Sequence, residues 1–196
     1  MREFRIHGRG GQGAVVASKI LASALFREGR SVQSFPAFGV ERRGAPVTAF
    51  LRVSTGPILL RCEITQPDGL IVLDPTLIEA TDVTAGLKPG GSILINSPRD
   101  PGDYEALAAR FDVATVDASG IARRHGLGSK TQPIVNTAIL GALAEWSSLV
   151  TLESVCGAIA EEVPFRTAEN IAAAREAAAA VNRAPHSGAS REIGHV

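Results

Sequence analysis

Four glycines within six residues, placed between a short apolar strand and a helix, are the feature that most constrains this sequence. The strand is predicted over residues 4–7 and the helix over residues 14–28, where apolar residues recur at helical spacing. The segment between them, here called the glycine loop, consists of Gly8, Arg9, Gly10, Gly11, Gln12 and Gly13. A turn this tight visits positive φ, and a phosphate approaches the backbone closely only where no Cβ intervenes. The N–H groups and dipole at the helix N-terminus then favour a phosphate or pyrophosphate group.

The G-x-G-x-x-G spacing of the glycine loop also occurs in nicotinamide-binding proteins, but a second expected feature is missing. Such folds place an acidic residue about 20 positions further on, at the end of the second strand, where it binds the ribose hydroxyls. The second predicted strand, residues 31–35, reads Ser-Val-Gln-Ser-Phe and contains no acid. The sequence thus argues against NAD as a hydride carrier at this loop. A site for another phosphate-bearing ligand and a plain tight turn of an α/β sheet both remain open.

Length and charge exclude several classes of protein. A chain of 196 residues is long enough to bury the core of one domain. Twenty basic residues balance 20 acidic ones, so a general attraction to nucleic acid or to an anionic membrane is not expected. The sequence has no signal-peptide pattern and no apolar run of about 18 residues, which leads us to expect a cytoplasmic protein with no membrane contact.

The two cysteines do not suggest a redox centre. Cys62 and Cys156 lie far apart, without His or Cys at ligand spacing. An iron–sulfur cluster normally takes four thiolates, so this chain cannot hold one unaided. We expect both cysteines to be buried as small apolar residues.

Apolar runs and turn residues predict an α/β fold, a Rossmann-like open sheet with helices on both faces, an inserted β-hairpin and a helical C-terminal part. The hairpin is expected from residues 47–53 and 58–62, and further strands from 70–74, 92–96 and 112–116. Helices are expected over residues 76–80, 104–110, 117–125, 149–162 and 167–181, with Thr167 as the N-cap of the last one. A further helix is expected from residue 133 onward, with small residues along one face from Ile134 to Glu145. Residues 1–184 form the predicted domain and residues 185–196 a loosely ordered tail.

A second unusual segment, here called the arginine loop, spans residues 35–46 and carries two phenylalanines with the pair Arg42 and Arg43. Its prolines and glycines exclude a regular helix or central strand. Aromatic and guanidinium groups together suit a partner surface or an anionic ligand. The alternative is structural, with Phe35 and Phe38 packed on the core and Glu41 paired with an arginine.

Other candidate residues carry weaker signals. Asp74 follows a buried strand, where α/β folds place ligand contacts, but capping of the short helix 76–80 is the preferred interpretation. His125 is expected at a solvated helix end. The sequence shows no metal-ligand cluster, no Ser-His-Asp arrangement and no paired carboxylates in a familiar frame. A catalytic residue is therefore not assigned, and the inventory suits a binding subunit of a larger enzyme.

The glycine loop followed by the arginine loop resembles the gamma subunit of 2-oxoacid:ferredoxin oxidoreductases, with the pyruvate/2-ketoisovalerate branch as the nearest match. The likeness continues through Leu73-Asp74-Pro75 and the segment 136–142, and covers about residues 4–180. Two motifs in register are far more specific than the glycine loop by itself.

The resemblance implies a role in a cytoplasmic hetero-oligomer of anaerobic metabolism that decarboxylates a 2-oxoacid oxidatively and transfers the acyl group to coenzyme A. In that family thiamine diphosphate, with Mg, lies between alpha and beta subunits, and 4Fe-4S clusters are carried by the beta subunit and a ferredoxin-like delta subunit. The gamma chain contributes to the coenzyme A site and is expected to be inactive in isolation. By this analogy the backbone N–H groups of residues 9–13 hold a phosphate of coenzyme A, and Arg42 or Arg43 supplies countercharge or subunit contacts.

One departure from the family pattern leaves the substrate branch open. The usual Gly-Pro-Glu of the arginine loop reads Gly39-Val40-Glu41 here, which removes a fixed φ. The same gamma domain serves aryl 2-oxoacid enzymes for phenylglyoxylate or indolepyruvate, and in some members an added flavin (FAD) subunit passes electrons to NAD. A structural assembly subunit with an empty glycine loop is the third alternative.

Overall fold

A seven-stranded sheet carries the fold of this chain, of which the computed structural model describes residues 1–37 and 44–183. The strands follow one another across the sheet in the order β2 (Ser31–Pro36), β3 (Pro46–Ser54), β1 (Arg2–Arg9), β4 (Gly69–Val72), β5 (Ser92–Asn96), β6 (Asp112–Val116) and β7 (Asn182–Arg183). Strands β1, β4, β5 and β6 are parallel, β3 is antiparallel to both of its neighbours, and β7 is antiparallel to β6. The predicted open α/β sheet is confirmed.

The helices cover the two faces of the sheet unequally. They are α1 (Ala14–Arg27), α2 (Leu77–Ala80), α3 (Glu105–Ala108), α4 (Ala118–Arg124), α5 (Asn136–Ser147), α6 (Leu152–Glu162) and α7 (Thr167–Ala179), with a 3-10 turn at Pro101–Tyr104. Helices α1 and α4–α7 build the larger core against one face, while α2, α3 and the 3-10 turn cover a smaller cluster on the other. Both faces are therefore covered, and the C-terminal part is helical, as predicted. Among the described residues, no helix combines the length and apolar character that crossing a membrane requires.

The predicted hairpin between residues 47–53 and 58–62 does not form. Strand β3 pairs with β2, whereas residues 58–62 form no strand. Both edges of β3 are taken, by β1 and by β2, so the apolar run 58–62 finds no edge beside it. Leu59 is 87% exposed, and Cys62 is exposed as well, against the prediction that both cysteines are buried. Cys156 is buried as expected.

The coil that contains Cys62 is held to the sheet by a buried arginine. Arg52 on β3 is 1% exposed and donates to Glu3 Oε1 at 2.7 Å, to Gln33 Oε1 at 2.8 Å and to the Cys62 carbonyl oxygen at 2.7 Å. Its guanidinium also lies over the ring of Phe35, which in turn packs against Phe50. The structural interpretation of Phe35 is thereby supported, while Phe38 and Glu41 lie outside the described residues.

Small residues on α5 allow α7 to approach closely. A Cβ atom on Gly141 would lie 1.9 Å from the carbonyl oxygen of Ala174, so only glycine fits at this crossing. The predicted small-residue face is correct at its centre and wrong at its ends, since Ile134 and Glu145 are exposed.

The predicted N-cap of the last helix is wrong. Arg166 precedes α7 in the left-handed conformation at φ 52°, and the Thr167 hydroxyl donates to the Val163 carbonyl oxygen rather than accepting from the helix. The tail 185–196 lies outside the described residues.

Candidate functional site

A cavity of about 580 Å³ opens at the carboxyl ends of β1, β4 and β5. Its walls come from the glycine loop, from the segment Leu73–Thr76 after β4, from Asn96 at the end of β5, from α4 and from residues 131–135. From β1 the chain crosses through α1 to β2 on one side, whereas β4 lies on the other side of β1. The cavity thus lies at the topological switch point of the sheet, where open α/β folds bind ligands.

The backbone of the glycine loop is partly occupied by its own hydrogen bonds. The N–H of Arg9 donates to Gln12 Oε1 at 2.8 Å, that of Gly10 to the Ala45 carbonyl at 2.9 Å, and that of Gln12 to the Arg9 carbonyl at 2.9 Å. The N–H groups of Gly11 and Gly13 have no acceptor among the described residues. Within the described part of the chain, two of the five N–H groups of residues 9–13 therefore have no acceptor, and of these two residues Gly11 lines the cavity.

Two of the loop glycines adopt backbone conformations that other residues rarely take. Gly11 has φ +99° and Gly13 has φ +81°. Nothing lies within 4 Å of a Cβ built on Gly11, which lines the cavity. A Cβ on Gly13 would meet the side chain of Asn136, the first residue of α5. Gly11 therefore keeps the cavity wall open, and Gly13 allows α1 and α5 to meet.

Asp74 holds the glycine loop against the end of β4. Its Oδ2 accepts from Arg9 Nε at 3.1 Å and from Gln12 Nε2 at 3.0 Å, while Oδ1 accepts from the Thr76 N–H at 3.0 Å. Burial by itself would raise the pKa of Asp74, but hydrogen bonds from Thr76 and Gln12 and the charge of Arg9 bring that pKa below its usual value. The predicted helix-capping role is incomplete, because the same carboxylate also fixes two residues of the loop.

The last residues of the arginine loop, 44–46, meet the glycine loop. The N–H of Gly44 donates to the Gly10 carbonyl at 3.0 Å, and Arg9 Nη1 donates to the Gly44 carbonyl at 3.3 Å. The end of the arginine loop thus borders the cavity. Arg42 and Arg43, both candidate site residues, lie outside the described residues.

The opposite wall contains residues that the sequence reasoning missed. Asn96 Nδ2 donates to the Leu73 carbonyl at 2.8 Å, and Asn96 Oδ1 accepts from the Ser119 N–H at 3.1 Å. One turn further along α4, Arg123 also lines the cavity. The available signal was the spacing of Ser119 and Arg123, four residues apart on a helix that follows a buried strand.

Two histidines lie away from the cavity lining. His7 on β1 is largely buried, and burial together with the charge of Arg5 lowers its pKa to about 4. His125 Nε2 lies 2.6 Å from Glu176 Oε2, so the predicted solvated helix end is instead a half-buried contact with α7. Neither side chain suggests a catalytic group.

Comparisons with known proteins agree with one another. The family model described as pyruvate ferredoxin/flavodoxin oxidoreductase matches residues 3–180. The chain is 52% identical over 180 residues to the pyruvate/ketoisovalerate oxidoreductases common subunit gamma of Thermococcus kodakarensis, covering 91% of this chain and 95% of that one.

Solved structures share the fold. The pyruvate oxidoreductase subunit PORC from Thermotoga maritima has a TM-score of 0.76 and 33% identity, covering 94% of this chain and 98% of that one. The 2-oxoglutarate:ferredoxin oxidoreductase from Magnetococcus marinus, solved with 2-oxoglutarate, coenzyme A and succinyl-CoA bound, has a TM-score of 0.67 at 20% identity. The match spans 91% of this chain and 30% of that longer one.

Proposed function

Because the chain belongs to the pyruvate ferredoxin/flavodoxin oxidoreductase family, as a gamma subunit of a 2-oxoacid oxidoreductase complex, we propose that its glycine loop binds a phosphate group of coenzyme A. In the assembled enzyme a 2-oxoacid is decarboxylated oxidatively, and its acyl group passes to coenzyme A. Thiamine diphosphate with Mg on the alpha and beta subunits supplies the decarboxylation chemistry, and 4Fe-4S clusters on the beta and delta subunits carry the electrons to ferredoxin. The gamma chain contributes binding and assembly, and by itself is inactive.

The substrate branch is proposed from the relatives. The Thermococcus kodakarensis subunit, at 52% identity, is named for pyruvate and ketoisovalerate oxidoreductases, and we assign this chain to an enzyme for one or both acids. Aryl 2-oxoacids, and NAD reduction through a flavin subunit, are the alternatives that assays of the complex decide.

The observation that supports coenzyme A binding most directly is the N–H group of Gly11, which has no acceptor among the described residues and belongs to a residue that lines a cavity of about 580 Å³. A cavity of that size lies within the range for small-molecule sites. Gly11 presents no Cβ, so an anion can approach the backbone there, and the start of α1 adds its dipole. A protein with this fold has been solved with coenzyme A bound.

Two substitutions at Gly11 test the proposal with shape held constant. Asn and Asp have nearly the same size, and both tolerate positive φ better than other side chains do. In the assembled complex, Gly11→Asp places a negative charge beside the phosphate and is expected to raise KM for coenzyme A at least about 30-fold, whereas Gly11→Asn raises it less than about 5-fold. KM for the 2-oxoacid should stay within about 3-fold in both variants.

Equal effects of Asp and Asn would show that charge at the loop is irrelevant and would overturn coenzyme A phosphate binding. Equal rises in KM for coenzyme A and for the 2-oxoacid would indicate damage to the assembly. Either result would favour the third alternative, a structural subunit with an empty loop.

A further inference from the structure

We propose that Arg123 binds the 3′-phosphate on the ribose of coenzyme A, a second anionic group of the ligand assigned above to the glycine loop. This inference rests on the proposed function, and it assigns a charged residue outside the glycine loop to the ligand. It concerns a side chain of α4 that neither of the two sequence motifs contains.

The charged side chains that line the cavity favour an anionic ligand near Arg123. Asp74 is the only carboxylate among the described residues that line it. That carboxylate already accepts from Arg9, Gln12 and Thr76, and each of the three nitrogens of the Arg9 guanidinium donates one hydrogen bond, to Asp74, Gly44 and Thr76. Arg9 and Asp74 thus neutralise each other. Among the described residues that line the cavity, Arg123 therefore carries a positive charge that no carboxylate compensates, and such a charge suits an anionic ligand.

Arg123 itself has no ion-pair partner among the described residues, although its neighbour does. Arg124 donates to Glu176 on α7 at 2.9 and 2.6 Å and points away from the cavity. Ser119 and Arg123, four residues apart, share the face of α4 that lines the cavity, and Ser119 is fixed by Asn96. The helix therefore presents one arginine to the cavity and uses the other to dock on α7.

The distance between the glycine loop and α4 indicates that Arg123 binds a different group of the ligand from the one that the glycine loop binds. Helix α4 follows β6, which lies three strands away from β1, so the two walls are separated by roughly 14 Å at the level of the sheet. A phosphate bound at the Gly11 N–H is too far away for direct contact with the base of α4. Coenzyme A carries anionic groups at two places, the pyrophosphate and the 3′-phosphate. With the pyrophosphate on the glycine loop, the 3′-phosphate is the group left for Arg123.

Dephospho-coenzyme A, which lacks only the 3′-phosphate, provides the test. In the assembled complex, Arg123→Gln is expected to raise both KM and the calorimetric Kd for coenzyme A about 10- to 100-fold, the loss of one charge-assisted contact. The same variant should change the values for dephospho-coenzyme A less than about 3-fold. Arg124→Gln is the matched control and should leave both ligands unaffected. Arg123→Lys should restore part of the affinity for coenzyme A.

Each outcome decides the assignment. If Arg123→Gln weakens both ligands equally, Arg123 does not contact the 3′-phosphate, and if it weakens neither, the residue binds no part of the ligand. Both results overturn the proposal. The Gly11 pair reports on the loop separately: an effect at Gly11 without one at Arg123 removes this inference alone, and the reverse pattern removes the loop as the phosphate site.

Discussion

The side-chain nitrogen of Asn136 lies 2.6 Å from the position that a Cβ atom on Gly13 would occupy. The start of α5 is thereby packed directly against the start of α1. Gly13 is required here twice, by its positive φ and by the space that Asn136 fills.

Replacing Gly13 by alanine should therefore destabilise the chain more than the same change at Gly11. Both positions have positive φ, which costs an alanine about 1–2 kcal/mol. Only Gly13→Ala adds a clash, so we expect a total loss of about 2–4 kcal/mol in the free energy of unfolding. Urea unfolding of the two purified variants measures the difference. Equal losses would mean that Asn136 moves aside freely.

Asp74→Asn should weaken coenzyme A binding through the loop. The asparagine amide can still accept from Thr76 but presents N–H groups to Arg9 and Gln12, which then lose their acceptor. KM for coenzyme A is expected to rise about 10-fold in the complex. Asp82→Asn is a matched control, since Asp82 makes the same contacts with Thr84 as Asp74 makes with Thr76, but lies away from the loop.

The charge of Asp74 stabilises the folded chain only over a defined pH range. Because its pKa is lowered in the folded chain, its contribution to stability is present above the ordinary carboxylate pKa of about 3.9 and is lost as the pH falls below that value. The effect of Asp74→Asn on unfolding should consequently be constant between pH 6 and 8 and shrink in acid. A change that persists unaltered at pH 3 would contradict this account.

Two helical glycines should differ strongly in their response to alanine. Gly141→Ala drives a Cβ into the backbone of α7, which cannot yield without moving the helix, and should cost about 3 kcal/mol or more. Gly157→Ala on α6 meets only the side chain of Arg27, which can move, and gains helix propensity, so its effect should stay within about 1 kcal/mol. Thermal unfolding of both variants distinguishes them. A mild effect at Gly141 would show that α5 and α7 separate easily.

His7 should make stability depend on pH near neutrality. Its pKa falls to about 4 in the folded chain, against about 6.5 when unfolded, so the unfolded chain takes up the proton first. Stability is then full above pH 6.5 and declines toward pH 4, by up to about 3 kcal/mol. His7→Gln should flatten that part of the profile, as followed by urea unfolding at stepped pH. An unchanged slope would assign the decline to other groups.

The sequence predicts the sheet and the glycine loop well because both depend on local patterns. The strands at 92–96 and 112–116 are recognisable from continuous apolar runs, and their bounds are confirmed. The run 58–62 looks equally strand-like, but whether it joins the sheet depends on a free edge, which only the assembled topology decides. Thr167 has the residue type of an N-cap, but Arg166 precedes the helix in the left-handed conformation, which the local sequence does not indicate.

The sequence predicts only one wall of the candidate site, because the other wall comes from distant parts of the chain. Glycine spacing marks one wall, whereas Asn96, Ser119 and Arg123 come from segments about 85 to 115 residues away, each ordinary in its local sequence. The second role of Asp74, as the acceptor for Arg9 and Gln12, likewise needs a contact across more than 60 residues. A pattern in the local sequence does not predict contacts between residues so far apart in the chain.

The insertion of β3 between β1 and β2 limits what this scaffold can be redesigned to do. Strand β2 ends at Pro36, two strand spacings from β1, roughly 9.6 Å rather than the single spacing of a dinucleotide-binding sheet. An aspartate engineered at that end would lie too far away to accept hydrogen bonds from the ribose of a ligand whose phosphates bind the glycine loop. Converting the chain to a nicotinamide carrier would require a strand to be deleted, not a side chain to be exchanged.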